Sequence, residues 1–230
     1  MRYHGTLLAF IAGAVDTFSF LSLSGLFAAH VTGNFAILGA TIVLGHPAGV
    51  WSKVLVVPLF GGGVWAASAG GAALQRRHWS LLRPLLGVEL ALLLAALGVA
   101  VGLGPFDDAD SHAALLLGGL LTLAMGTQAA MGPLAAPQEP PTTVLTTTFT
   151  RMVIGVSALV SRQFPSEAER KRTRQAVVRL AGQCVAFSVG CATSAAGHVL
   201  IGMWSVAIPA LAVAIAWAAS TGRDPNAERR

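Results

Sequence analysis

The chain has 230 residues, 54% of them hydrophobic and only 11% charged, with a mean hydropathy of +0.69. A soluble domain carries about a quarter charged residues, so these values exclude an ordinary soluble protein and indicate one polytopic membrane domain over residues 1–230. The net charge of +5 does not point to nucleic acid, because the arginines cluster beside apolar spans and no aromatic residues interleave with them.

Behind Arg2 an apolar run begins in which Ala12-Gly13-Ala14 imitates a signal-peptide cleavage site. The run continues through Phe20 to Leu26, so a retained first span over about residues 6–23 is expected. Asp16 lies ten residues into that span. A carboxylate there costs roughly 2.5–3.5 kcal/mol on insertion scales, so it should face the protein interior and have a partner. It is a candidate proton carrier or, equally, a structural acceptor for a helix start. Phe20, one turn later, is a candidate aromatic wall.

A polar break follows, His30-Val31-Thr32-Gly33-Asn34, opening an apolar run of 10 residues over 35–44. Crossing a hydrocarbon core takes roughly 20 helical residues. Lipid cannot satisfy the backbone N–H groups at such a helix start, so the break must be buried in protein or line a cavity. Thr32, Gly33 and Asn34 offer a ligand a hydroxyl, a close backbone approach and an amide, with His30 just before them.

The second span, about 54–74, carries Gly61, Gly62, Gly63, Ala66, Gly70 and Gly71, a thin face suited to close helix packing. The third, about 84–103, holds Glu89 near enough its start to reach the interface. The acidic loop 106–110 lacks Lys and Arg and is assigned outside, whereas Arg76, Arg77 and Arg83 are assigned inside. Gln128 lies in the fourth span, about 113–131. A second polar break, Thr142-Thr143-Val144-Leu145-Thr146-Thr147-Thr148, then opens a run of 12 residues over 149–160. Thr146, Thr147 and Thr148 are candidate solute contacts. Arg151, one turn beyond Thr147, either adds positive charge to that site or snorkels to the surface. A basic loop over 162–174, spans at about 176–196 and 200–219, and a tail over 220–230 complete the chain. Cys184 and Cys191 are seven residues apart, too far along one helix to bridge, and are expected to pack as small hydrophobes.

The charge assignments agree only if both short segments enter and leave on one side of the membrane, with Lys53 as a minor exception outside. The expected fold is an all-α integral membrane protein with six transmembrane helices and two re-entrant strand/half-helix segments. Three spans per half make a 3+3 inverted repeat, about 5–103 and 112–219. Phe60-x-x-Gly63 with Gly70 echoes Phe187-x-x-Gly190 with Gly197 at a constant offset of 127, and Gly13-x-x-Asp16 echoes Gly126-x-Gln128. Two half-helix starts converging near the midplane favour an anion or a carbonyl-rich solute.

No nucleophile and base stand at a recognisable spacing, so no enzyme and no cofactor are expected. His4, His46, His78, His112 and His198 fall near span ends, none at metal-ligand spacing.

Gly13-Ala14-Val15-Asp16 with Val31-Thr32-Gly33-Asn34, and Met125-Gly126-Thr127-Gln128 with Thr142-Thr143-Val144-Leu145-Thr146, resemble the YoaK-like family of bacterial membrane proteins, a domain of unknown function. Where that pattern has Gly after Leu145-Thr146, this chain has Thr147, which closes the second helix start to near approach. The resemblance implies a bacterial inner-membrane protein, and the charge assignments place both termini in the cytoplasm. The paired half-helices are similar to the core domains of sulfate permeases and nucleobase transporters. A separate gate domain does not fit in 230 residues, so a homodimer is expected. The expected function is a secondary transporter or uniporter of a small anionic or polar solute, with Asp16 and Gln128 lining its site. The alternatives are a channel of the six-span, two-half-helix kind or a non-transporting structural membrane protein.

Overall fold

The computed structural model describes residues 2–44, 49–76, 81–135, 145–161 and 164–220. Among the described residues there are eight α-helices and no strand. They are α1 (Arg2–Ser22), α2 (Val31–Leu44), α3 (Val50–Arg76), α4 (Leu82–Leu103), α5 (His112–Ala135), α6 (Leu145–Ser161), α7 (Glu167–Ile201) and α8 (Ala207–Ala219). A 3₁₀ turn, Gly202–Val206, joins the last two.

Five helical stretches are long and apolar enough to cross a membrane: Gly5–Ser22, Val50–Leu74, Leu82–Leu103, His112–Leu134 and Glu167–Ala219. The chain is therefore a multi-pass helical membrane protein. Its outward faces carry large apolar side chains such as Trp65, Val160 and Val199, as a lipid-facing surface requires. The last stretch holds 53 residues and as one straight helix would measure about 80 Å, against a hydrocarbon core of about 30 Å. It turns instead at Gly202, whose φ of +56° suits glycine. Beyond that turn Ser205 and Ile208 come back against Gly197 of α7.

Two helix crossings without side chains hold the bundle together. Where α1 crosses α7, a Cβ on Gly13 would collide with the Phe187 carbonyl, and one on Gly190 with the Phe10 carbonyl. Where α3 crosses α5, a Cβ on Gly126 would collide with the Phe60 carbonyl, and one on Gly63 would sit 2.6 Å from the Leu123 carbonyl oxygen. Backbones meet directly at both places, which maximises dispersion contact where lipid provides no hydrophobic drive. Around them Ile11, Val15, Phe18, Leu86, Leu93, Leu121 and Met125 are fully buried.

At one end of the bundle the helix connections are tied by side chains. Asp110, from the acidic loop, accepts the Val50 and Ser52 N–H groups at 3.0 and 3.1 Å, satisfying the start of α3. Lys53 is buried, and its Nζ donates to the carbonyls of Gly49 and Ser24, each at 3.0 Å. The end of α1, the start of α3 and the loop 106–110 therefore share one side of the protein. Lys53, expected as a minor exception on the outer side, is a buried donor that joins two helix ends.

Several expectations change. Both short helices begin earlier than the polar breaks implied, at Val31 and Leu145, so Thr32–Asn34 and Thr146–Thr148 form first helical turns. Their lengths of 14 and 17 residues still fall short of a span. The lead-in to α2, residues 23–30, is a series of turns, with Leu26 N–H donating to the Leu23 carbonyl at 3.2 Å; it is not strand-like. The lead-in to α6, including Thr142, Thr143 and Val144, lies outside the described residues, as do His46, His78, Arg77, Arg162 and tail residues 221–230. Glu89 does not reach an interface. It is completely buried two turns into α4, and neither carboxyl oxygen has a hydrogen-bond partner among the described residues.

Candidate functional site

Asp16 is buried on α1, and its carboxylate organises the chain after that helix. Oδ1 accepts the Ala29 N–H at 2.6 Å, and Oδ2 pairs with Nδ1 of His30. A second clamp comes from α2. Asn34, also buried, uses both ends of its amide on one peptide: Oδ1 accepts the Phe27 N–H at 2.9 Å, and Nδ2 donates to the Phe27 carbonyl at 2.7 Å. The connection 23–30 carries backbone groups that no regular helix satisfies, and these two side chains satisfy three of them, the Phe27 N–H and carbonyl and the Ala29 N–H. Asp16 lies six residues before Ser22, so the connection is drawn back about 9 Å along α1 before α2 begins.

The clamps present an aromatic group. The Phe27 ring stacks at a tilt on Phe20 with centroids 5.0 Å apart, and His30 meets Phe27 and Phe187 edge-on at 6.2 and 5.6 Å. The His30 side chain is about one-third exposed (32%), with Nδ1 committed to Asp16. That hydrogen bond holds the imidazole above its ordinary range. Nε2 makes no hydrogen bond among the described residues and is the ring atom a ligand would meet. One turn before Phe187, on the same face of α7, Gln183 is buried with neither end of its amide bonded among the described residues.

The site residues expected from sequence thus divide. Asp16, Phe20 and His30 come together, with Asn34 beneath them as a clamp; its amide is consumed by Phe27. Gly33 serves the same packing: a Cβ there would lie 3.1 Å from the Phe27 ring, and its N–H donates to the His30 carbonyl at 2.9 Å. Thr32 is exposed. Gln128 is not beside Asp16. Its Nε2 donates to the Leu8 carbonyl at 3.0 Å, eight residues and about 12 Å along α1. Thr146 and Thr147 sit in the first turn of α6, and Thr148 is its buried residue. Arg151 is exposed and faces a cleft between α6 and α7.

Phe27 and Phe187 were not foreseen as site residues. Phe187 had a usable signal: with Gln183, Gly190, Ser194 and Gly197 it forms a stripe at three- and four-residue spacing along one face of α7. Phe27 had none, because the turns that carry it have no period.

A model of the family described as "Protein of unknown function (DUF1275)" matches residues 4–219. The chain belongs to this family. No curated protein and no solved structure matches it. The match covers every residue of the Asp16–His30–Phe187 group, so this group belongs to the DUF1275 domain itself.

Proposed function

We propose that this DUF1275 protein is a secondary carrier, or uniporter, for a small anionic or polar solute. The observation that carries the reading is a buried carboxylate, Asp16, holding a partly exposed histidine at the start of a helix too short to span. Ionisable groups at membrane depth are costly and characteristically mark a solute or ion path. His30 Nε2 is the polar contact in this site, and Phe20, Phe27 and Phe187 are its apolar wall.

Re-entry of α2 is supported by the bond between Lys53 Nζ and the Ser24 carbonyl. The end of α1 and the start of α3 lie on one side, so the helix between them enters and returns. Its counterpart α6 runs antiparallel to α7, with Gly155 against Val177. Ten residues back from Gly155 is Leu145, and ten residues on from Val177 is Phe187. The start of α6, with Thr146, Thr147 and Thr148, is thus level with Phe187, which touches His30 at the start of α2. Both helix starts then direct their positive dipole ends toward one region.

In this reading the chain is an inverted repeat of three spans and one half-helix per unit. Adding 113 carries Phe10, Gly13 and Ala14 to Leu123, Gly126 and Thr127, and adding 127 carries Phe60 and Gly63 to Phe187 and Gly190. Under these two offsets the atoms facing Gly190, the Phe10 carbonyl and Ala14 nitrogen, become those facing Gly63, the Leu123 carbonyl and Thr127 nitrogen. Adding 114 carries Thr32, Asn34 and Phe35 to Thr146, Thr148 and Phe149, and Asn34 and Thr148 are the buried residues of their helices. The basic clusters favour an orientation with both termini in the cytoplasm of a bacterial cell. A second copy of the chain would provide the surface against which the site moves.

The test is a thermal-shift panel of small anions, carboxylates and nucleobases on detergent-purified protein, repeated on His30→Gln and Phe187→Leu. A ligand of the native state raises the melting temperature by mass action. One solute class should protect the wild type, lose that protection in both variants, and show saturable counterflow in proteoliposomes. Protection unchanged in both variants, or non-saturating flux, overturns the carrier reading.

A further inference from the structure

Glu89 is an ionisable group that neither the solute site nor the fold makes use of. It is completely buried on α4, and neither carboxyl oxygen has a hydrogen-bond partner among the described residues. Asp16 and Asp110 satisfy backbone N–H groups of the segments they face; Glu89 ties nothing together. Helices α1, α5, α4 and α8 pack in that order around one interior, with α8 closing against α1. Leu86, Glu89, Leu93 and Ala96 are the buried stripe of α4 at three- and four-residue spacing, and Leu121, Ala124 and Gln128 lie in the corresponding stripe of α5. Leu81 and Leu134 both approach Gly71, at 3.7 and 3.5 Å from where its Cβ would lie, which sets the register of the antiparallel pair α4 and α5. Eight residues on from Leu81 and eight back from Leu134, Glu89 stands level with Gly126 and within about 3 Å, along the axis, of Gln128. Nε2 of Gln128 is committed to the Leu8 carbonyl, which leaves Oε1 buried and without a partner among the described residues. An amide oxygen repels a carboxylate but accepts from a carboxylic acid. The titratable residues of the surrounding helices are Arg2, Tyr3, His4 and Asp16 on α1, Arg83 on α4 and His112 on α5; α8 and the 3₁₀ turn have none. Asp16 is paired with His30, and Arg83 lies over the Trp217 ring at 4.9 Å. Arg83 is six residues from Glu89, about 9 Å along α4, and His112 is about 21 Å from Gly126 along α5.

We infer that Glu89 is a proton-binding site and that the proton is the ion this carrier couples to its solute. A carboxylate at membrane depth with neither a cation nor an N–H donor is costly, and binding one proton removes the charge. The step is a single transfer. A hydronium ion gives its proton to a Glu89 oxygen and leaves as water, and the reverse transfer to water on the opposite side restores the carboxylate. Glu89 is seven residues, about 10 Å, beyond the start of α4, so a short opening of the ring at that end admits water to it. Asp16, a candidate proton carrier by sequence, has both oxygens engaged and leaves this role to Glu89. The coupling rests on the carrier reading; the proton site does not.

Infrared difference spectroscopy of the full chain in lipid membranes, wild type minus Glu89→Gln, tests it. At neutral pH exposed glutamates, with an ordinary value of about 4.3, are ionised, so the difference should show a protonated-carboxyl C=O band that the variant lacks. The band should move to lower wavenumber in heavy water and lose intensity reversibly as the pH is raised. Glu89→Leu removes the same carboxyl and should lack the same band, which keeps the test open if the glutamine variant fails to fold. Absence of a difference band means an ionised Glu89 and overturns the inference. A band that fails to shift in heavy water, or fails to weaken as the pH rises, marks a sealed structural acid and also overturns it. For a solute identified by the thermal-shift panel, an imposed pH gradient should drive accumulation in the wild type and not in Glu89→Gln; equal accumulation overturns the coupling. The infrared readout needs no solute, so a failed panel strikes the carrier reading alone, whereas a failed infrared result leaves a carrier that works without protons.

Discussion

Replacing Asn34 by Leu removes the one side chain among the described residues that satisfies the Phe27 peptide. Asn34 is 1% exposed and makes two bonds to that peptide, at 2.9 and 2.7 Å. Leucine approximates its volume but leaves one N–H and one carbonyl without partners. Each unsatisfied buried group costs about 1–3 kcal/mol, giving a destabilisation of about 2–6 kcal/mol, a large share of a total that is typically about 5–15 kcal/mol. The effect should be local first, because the clamp acts on residues 23–30. Hydrogen exchange of the protein in nanodiscs, read by mass spectrometry, should show the peptide spanning 23–30 exchanging at least roughly tenfold faster. Peptides from α3 and α5 should be unchanged. Unaltered exchange over 23–30, or acceleration spread evenly over the protein, would refute the clamp.

Gly63→Ala and Gly190→Ala should each destabilise by about 1–3 kcal/mol through overpacking, because at Gly63 a contact of 2.6 Å must open to the ordinary 3.4 Å. Gly61→Ala, where a Cβ would meet nothing within 4 Å, should be neutral, and equal losses at all three positions in detergent unfolding would discredit the crossings. Glu89→Leu should hold or raise the melting temperature, because the buried carboxyl it removes has no hydrogen-bond partner among the described residues; a clear fall would reveal one. The Asp16–His30 pair should make stability depend on pH. The folded-state value of His30 is raised, so its contribution is complete below the ordinary imidazole value near 6.5 and is lost as pH rises through the elevated one. His30→Gln should flatten that part of the profile, and an identical pH curve for the variant would contradict the pairing.

Membrane class and helical character were legible because composition alone decides them, and the two short helices because 10 to 12 apolar residues cannot span. Asp16 was legible for the same reason: a carboxylate in mid-span has to find a partner, and Ala29 and His30 are those partners. Glu89 was misjudged because its distance from the start of its span says nothing about which way it faces, and α4 turns it inward between neighbouring helices. Asn34 was recognised as special, but its use depends on Phe27, seven residues earlier, in turns that have no periodic signature. Gln128 was paired with Asp16 by counting along the chain, whereas the packing of α5 on α1 sets Gln128 against the Leu8 carbonyl. Constraints from the solvent can be read residue by residue; partners that depend on the path of a connection cannot.

The two glycine crossings also set an order of biogenesis. Each joins a helix made early to one made late: α1 to α7, and α3 to α5. When the ribosome has completed α4, neither α1 nor α3 has met the backbone it is shaped to touch, and the buried carboxyls of Asp16 and Glu89 are already in the membrane. The first half on its own therefore lacks both crossings. Synthesis of α5 closes one crossing and synthesis of α7 the other, so the protein becomes a stable unit only near its last helix.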